Sequence, residues 1–300
     1  AALFFPAYWL RVRRTPCGPA HHNRGMTSSA TSRALSGSAF STLLLIAFMM
    51  GANHVAARMA FDHGVSVSTA VLFRSGVTAV VVWIIVRWGR VPVNLTPAQK
   101  TALLKIGLLI ALQSLCLYSA VARLPVALAL LAFNTYPLWT AFWARTLKGE
   151  RIDPRVLRAM PLLLLGLALA LDVAGAASGL GAAAHWGRIG AGVAFALIAA
   201  ASFGLALVFT QHDTQGLDGR VRIAATMALV AAAALLGVAG QGGLALPQAS
   251  AGWWGLIGLT ALYGTAFTIM FTVLPRLGVV GGSPIMNVEP ICALVLAWAV

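Results

Sequence analysis

The sequence predicts an all-α membrane protein: a polytopic helical bundle of two inverted five-helix repeats, with nine spans visible and the tenth truncated. Three observations predict this class. The composition is too apolar for a protein whose surface faces water, the chain divides into nine long apolar segments, and a polar signature recurs after 153 residues.

The composition excludes a soluble domain. Hydrophobic residues make up 60% of the 300 residues and charged residues only 9%, whereas about a quarter of a typical soluble domain is charged. The net charge of +14 does not indicate nucleic-acid binding, because the few basic residues are spread between apolar runs instead of forming one patch. The three cysteines lie far apart without metal-ligand spacing, so the sequence predicts neither a disulfide framework nor a metal site.

Nine segments are long enough to cross a bilayer as helices, which takes about 17–25 apolar residues. They are residues 40–61, 66–87, 102–122, 125–146, 156–173, 188–210, 223–240, 253–274 and 279–299. Most connections are short and contain glycine, proline or charged residues. The longest is an almost uncharged Ala/Gly-rich loop at 173–187.

The basic residues predict a cytoplasmic N-terminus. With that orientation 17 of the 21 Lys and Arg residues lie at the inner side, 3 lie at the outer side and Arg74 lies within a span, as the positive-inside rule requires. Residues 1–39 are then a cytoplasmic tail. Residues 1–25 are either upstream translation or a poorly ordered native tail, since Met26 resembles an ordinary start before a first span.

An internal repeat is visible when the chain is aligned with itself at an offset of 153 residues. Asn134 then pairs with Asn287 and Pro137 with Pro290, so that one Asn-x-x-Pro element lies within two spans. The offset contains five spans, an odd number, and the two copies must therefore cross the membrane in opposite senses. Inverted repeats are typical of secondary transporters, which bind substrate near the midplane between the copies. A duplicated fold with one shortened copy is the alternative interpretation, and it keeps the pseudo-symmetry.

Several segments resemble the drug/metabolite transporter superfamily, EamA-type. Gly51-Ala52-Asn53-His54-Val55 through Arg58 is similar to the first-span pattern of that family, and Arg74 is similar to its second-span arginine. The most specific likeness is the fourth-span signature, which runs from Leu124-Pro125-Val126-Ala127 through Asn134-Thr135-Tyr136-Pro137-Leu138 to Gly149-Glu150-Arg151. Asn287-Val288-Glu289-Pro290 matches the ninth-span element. The resemblance covers about residues 40–300.

The resemblance implies ten spans with both termini inside, divided into a first repeat at 40–173 and a second repeat at 188–300. In the repeat register the Gly-Glu turn and the tenth span of the second copy would fall just past Val300. We therefore expect the second repeat to be C-terminally incomplete and the native gene to continue past Val300.

Ionisable residues within the spans are the first functional candidates, because a charge inside a membrane costs about 2.5–3.5 kcal/mol on insertion scales. Glu289 is the acidic residue that lies well inside a span, and Arg74 lies about a third of the way into the second span. The two neutralise each other as a structural pair, line an aqueous cavity, or do both. His54 is either part of a proton pathway or a packed polar histidine.

The Asn-x-x-Pro elements and the tyrosines are the second group of candidates. A proline frees a backbone carbonyl about one turn earlier and permits a kink, which would expose polar groups to a substrate. Alternatively, the asparagines only hold neighbouring helices together. The full set of candidate cavity residues is Asn53, His54, Arg74, Tyr118, Asn134, Tyr136, Pro137, Tyr263, Asn287, Glu289 and Pro290.

Other functional classes lack their motifs. The sequence contains no HExxH, no Gly-x-Ser-x-Gly and no phosphate-binding Gly-rich loop, so we predict neither a membrane enzyme nor an ATP-driven pump. The expected function is alternating-access transport or export of a small organic metabolite across the inner (plasma) membrane, without a cofactor. The alternative is a passive channel or a non-transporting membrane sensor. The expected partners are a small-molecule substrate and the lipid bilayer, not nucleic acid, and a homodimer is left open.

Overall fold

The computed structural model describes residues 37–150, 154–172, 181–272 and 288–299, together with Gly175, Ala177 and Gly179. Within these residues the chain forms ten helices and no β-strand. They are α1 (Gly37–Asp62), α2 (Val67–Trp88), α3 (Pro97–Val121), α4 (Val126–Phe133), α5 (Tyr136–Lys148), α6 (Pro154–Ala170), α7 (Ala182–Asp213), α8 (Gly219–Gly240), α9 (Ser250–Thr272) and α10 (Glu289–Ala299). The predicted all-α class is confirmed.

Six helical stretches of the described chain are long and apolar enough to cross a membrane: α1, α2, α3, α4 with α5, α7 and α8. Large apolar side chains also cover the outside of the bundle, and Trp88 and Leu236 are 85% and 75% exposed. Exposing such a surface to water is unfavourable, whereas contact with lipid tails is not. The prediction of a polytopic helical membrane protein is confirmed.

Local sequence explains where the helices begin and end. Ser66 caps α2 by accepting a hydrogen bond from the Thr69 backbone N–H at 3.2 Å, and Thr96 forms a capping box with Gln99 at the start of α3. Gly149 ends α5 in the left-handed conformation, with a φ of 67°, which glycine adopts without steric cost. These caps satisfy backbone groups that the bilayer cannot hydrate.

The fourth predicted span is divided into two helices. α4 ends at Phe133 and α5 begins at Tyr136, so the break lies at Asn134 and Thr135, where Asn134-x-x-Pro137 predicts a kink. Pro137 lies in the first turn of α5, a position where its missing N–H costs no helical hydrogen bond. The Thr135 hydroxyl donates to the Ala132 carbonyl at 2.8 Å and satisfies one backbone acceptor at the break.

When the 153-residue offset is applied to a pair of helices in contact, the related pair of helices is also in contact. The most extensive contacts join α2 to α8, α3 to α7 and α1 to α9, and further contacts join α5 to α7 and α1 to α10. The offset relates α1 to α7, α2 to α8, α3 to α9, and α5 to α10. The α1–α9 contact therefore corresponds to the α7–α3 contact, and the α1–α10 contact corresponds to the α7–α5 contact.

Two glycines at equivalent positions of the offset allow helix backbones to touch. A Cβ on Gly51 of α1 would lie 3.0 Å from the Ala293 nitrogen and the Glu289 carbonyl oxygen of α10. A Cβ on Gly204 of α7 would lie 2.7 Å from the Thr140 nitrogen of α5. Because backbone atoms cannot move aside like side chains, any larger residue would push these helices apart.

Candidate functional site

A buried polar cluster lies where α1, α2 and α3 meet α9 and α10. Its members come from five helices: Asn53 and His54 of α1, Arg74 of α2, Ser114 and Tyr118 of α3, Tyr263 of α9, and Glu289 of α10. The first six are at most 5% exposed, and the Glu289 side chain is 14% exposed. Six of the seven belong to the residues predicted from the sequence.

Arg74 is the cation of the cluster and is 4% exposed. Its guanidinium donates to the Ser114 hydroxyl through Nη2 at 2.9 Å and to the Tyr118 hydroxyl through Nη1 at 3.3 Å. Two aromatic rings pack against the guanidinium carbon, with ring centres 4.0 Å away for Tyr263 and 4.6 Å away for Tyr118. Cation–π contacts of this kind are strongest where water is excluded, so the aromatic rings replace part of the hydration that Arg74 loses.

Tyr118 joins α3 to both α1 and α2. Its hydroxyl accepts from Arg74 and donates to the Asn53 side-chain oxygen at 3.1 Å. The ring is fully buried and contacts the rings of His54 and Phe61 at centre distances of 5.7 and 5.9 Å. The tyrosine therefore fixes the mutual positions of three helices through one polar atom and one ring.

His54 and Glu289 form the second polar contact of the cluster. His54 Nε2 lies 3.4 Å from Glu289 Oε1, and Glu289 is the first residue of α10, where the positive end of the helix dipole favours a carboxylate. No carboxylate of the described residues lies within ion-pair distance of Arg74. Within ion-pair distance the acid contacts the histidine and not Arg74.

Several buried polar atoms of the cluster have no hydrogen-bond partner in the chain. They are Asn53 Nδ2, His54 Nδ1, Arg74 Nε and the neighbouring Ser75 Oγ. Buried donors and acceptors are nearly always paired in proteins, and an orphaned one costs about 1–3 kcal/mol. Two of these atoms lie on one turn of α1 and two on one turn of α2, so both helices carry unused hydrogen-bonding capacity inside the bundle.

Three other predicted residues lie at the break between α4 and α5. Tyr136 packs against Phe133 and Phe203, with ring centres 5.6 and 5.2 Å away. Asn134 is half-buried at the end of α4, and Pro137 begins α5 on the other side of the break. Pro290 follows Glu289 in the first turn of α10, and Asn287 lies outside the described residues.

Sequence reasoning missed Ser114, which makes the shortest contact to Arg74. Its position offers a signal, since Ser114 precedes Tyr118 by four residues and the two therefore share one face of α3. A lone serine in an apolar run more often bonds to its own helix, so this spacing is too weak to single it out. Among the described residues no group of three or more His, Cys, Asp or Glu side chains suits a metal ion.

A second set of charged residues ties helix ends together away from the cluster. Lys148 Nζ at the end of α5 lies 2.9 Å from Asp213 Oδ1 at the end of α7. Glu150 Oε1 lies 2.9 Å from His212 Nε2. Asp218 caps α8 and accepts from both the backbone and the side chain of Arg220. The Arg220 hydrogen bond lowers the pKa of Asp218 below its ordinary value of 3.8.

Comparison with known families decides the identity. The family model of the EamA-like transporter family matches residues 37–171 and 190–300. The chain belongs to the EamA-like transporter family. The family match confirms the resemblance to the drug/metabolite transporter superfamily. A search of curated proteins found no match to the chain. In this EamA-like protein the buried cluster draws residues from both matched segments, with α1, α2 and α3 in the first and α9 and α10 in the second.

Proposed function

We propose that this EamA-like protein is a secondary transporter that moves a small organic metabolite across the inner (plasma) membrane by alternating access. The observation that carries the proposal is the buried cluster between the two matched segments. Orphaned polar atoms on α1 and α2 lie beside a histidine–carboxylate contact to α10. A protein with only a structural role in the membrane would gain nothing from these costly groups.

The packing supports an inverted repeat. Exchange of α1 with α7 and of α3 with α9 converts the α1–α9 contact into the α7–α3 contact. Gly51 and Gly204 make the same kind of backbone approach, to α10 and to α5 respectively. Such pseudo-symmetry provides two related conformations of nearly equal energy, which alternating access requires.

The basic residues support an orientation with the N-terminus in the cytoplasm. The ion pair of Lys148 with Asp213 would then hold α5 to α7 on the inner side. In a chain without its native cysteines, a cysteine replacing exposed Asn94 should react only after the membrane is permeabilised. A cysteine replacing exposed Ala249 should react in intact cells with an impermeant thiol reagent, and the reverse pattern would contradict the orientation.

The His54–Glu289 contact supports proton coupling. An imidazole and a carboxylate 3.4 Å apart can share a proton and release it when a conformational change separates α1 from α10. In this mechanism a proton and the substrate use the same cluster, so that one cannot be released without the other. The protein would then need no ATP and no cofactor, and it would catalyse no chemical reaction.

Counterflow in proteoliposomes tests the function. Compounds whose export or uptake differs between cells with and without the gene are first identified by untargeted mass spectrometry. The full chain is then reconstituted, and the liposomes are loaded with one such compound and supplied with its labelled form outside. A carrier gives saturable uptake with a transient overshoot, and liposomes without protein give neither. Linear, non-saturating flux would favour the passive channel, and absence of any transported compound would favour the sensor.

A further inference from the structure

We propose that the substrate of this transporter carries an oxyanion, a carboxylate or a phosphate, and that Arg74 binds it. The inference rests on the proposed transport function and names the chemistry of its binding site. The observation behind it is the guanidinium of Arg74, a cation that is only 4% exposed.

No carboxylate of the described residues lies within 4.0 Å of the Arg74 guanidinium. The nearby acidic residue of the cluster, Glu289, contacts His54, and the groups that contact Arg74 are two hydroxyls and two aromatic rings. Hydroxyls and rings are neutral, so the direct contacts of Arg74 lower the cost of burying the cation without pairing it. A bound anion would supply a direct ionic partner.

The orphaned donors match an oxyanion. Arg74 Nε and Asn53 Nδ2 have no partner, and both side chains contact the same Tyr118 hydroxyl. Carboxylate and phosphate oxygens accept several N–H donors at once, and arginine binds both groups with a two-pronged geometry. Ser114 and Tyr118 hold the other edges of the guanidinium, so its fork is oriented before the ligand arrives.

The pseudo-symmetric positions do not repeat the site. The 153-residue offset relates Asn53, His54 and Arg74 to Ala206, Leu207 and Met227, all three of which are buried apolar residues. The three related positions therefore hold no second cation. The substrate would place one anionic group at Arg74, and its remaining part would contact apolar side chains.

The test compares metabolites moved by cells that express the full wild-type chain, Arg74→Gln, Arg74→Lys or Asn53→Asp. Compounds redistributed by the wild type should carry a carboxylate or a phosphate, and their identity distinguishes these two groups. Arg74→Gln should reduce that transport about tenfold or more, since a charge-assisted contact is lost. Arg74→Lys should retain part of it. Arg123→Gln is the matched control, because it removes an exposed arginine of the same bundle, and it should transport like the wild type.

Asn53→Asp keeps the inference testable if Arg74→Gln does not fold. The new carboxylate has nearly the size of the asparagine side chain, neutralises Arg74 and would repel an anionic substrate. We expect a monodisperse protein at normal membrane levels whose transport falls about tenfold or more. Wild-type transport by Asn53→Asp, or redistribution only of neutral and cationic compounds, would overturn the anion site and leave the transporter standing. If the wild-type chain redistributes no compound, the transport function itself fails.

Discussion

Replacing Tyr118 with phenylalanine tests whether the cluster holds the bundle together through its hydroxyl. The substitution keeps the ring, and with it the contacts to His54 and Phe61. It removes the acceptor of Arg74 and the donor to Asn53, at 3.3 and 3.1 Å. Because Asn53 Nδ2 already lacks a partner, the whole amide of Asn53 would then be unpaired.

The expected loss follows from these two contacts. A neutral interhelical hydrogen bond in a membrane is worth about 0.6 kcal/mol on average, and a hydrogen bond to a charged group about 1.5 kcal/mol or more. Tyr118→Phe should therefore lower the free energy of unfolding by about 2 kcal/mol. Tyr263→Phe is the matched control, since that hydroxyl has only a contact of 3.7 Å with the Met227 sulfur, and it should lose about 0.5 kcal/mol or less.

The measurement is equilibrium unfolding of the purified full chain in mixed micelles of mild detergent and dodecyl sulfate, followed by circular dichroism. Both variants should keep wild-type helicity in mild detergent. The Tyr118→Phe midpoint should fall clearly below that of Tyr263→Phe. Equal midpoints for the two variants would refute the reasoning, because the hydroxyl of Tyr118 would then contribute no more than a weak contact to sulfur.

Three further predictions concern other parts of the molecule. Glu289→Gln keeps size and hydrogen bonding but cannot titrate, so it should reach the membrane at normal levels and lose pH-driven uptake in proteoliposomes. Wild-type pH dependence would exclude the proton role. Gly204→Ala should lower the free energy of unfolding by about 1–3 kcal/mol, because its Cβ would meet the backbone of α5. Gly76→Ala is the control and should be neutral or slightly stabilising, since no atom lies within 4 Å of its Cβ position. Equal costs for the two variants would contradict the close helix approach. Arg220 lowers the pKa of Asp218, so the charged carboxylate stabilises the fold above pH 3.8 and this contribution is lost as the pH falls through the lowered pKa. Asp218→Asn keeps the cap and should show weaker acid sensitivity of its unfolding midpoint than the wild type; an unchanged pH profile would assign no role to the charge.

Much of the fold was predictable because membrane insertion depends on local sequence. An apolar run of about 20 residues is stable in lipid only as a helix, whatever it later packs against. The break at Asn134 also follows from local sequence, because Pro137, three residues later, lacks the backbone N–H that would continue the helix. Within the ninth predicted span, α10 covers Glu289–Ala299.

Six members of the polar cluster were named as candidates from the sequence, whereas Ser114 and the pairings within the cluster were not. Arg74 and Glu289 are recognisable from the sequence because each places a costly charge within an apolar run. Their partners are not recognisable, since His54 and Glu289 are 235 residues apart in the chain. Ser114 was not predicted, because its contact with Arg74 depends on the direction in which the arginine side chain extends.

The sequence by itself determined the apolar helices, their approximate bounds and the glycine and proline positions. It also determined that Arg74 and Glu289 place a cation and an acid within apolar runs. Each of these features follows from local hydrophobicity and backbone chemistry. Only the tertiary structure decided that Arg74 bonds to Tyr118 and Ser114 while Glu289 contacts His54. The physical reason is that these polar contacts act over about 3 Å. They depend on the rotation and depth of five separate helices, which side-chain packing determines and apolar runs do not encode.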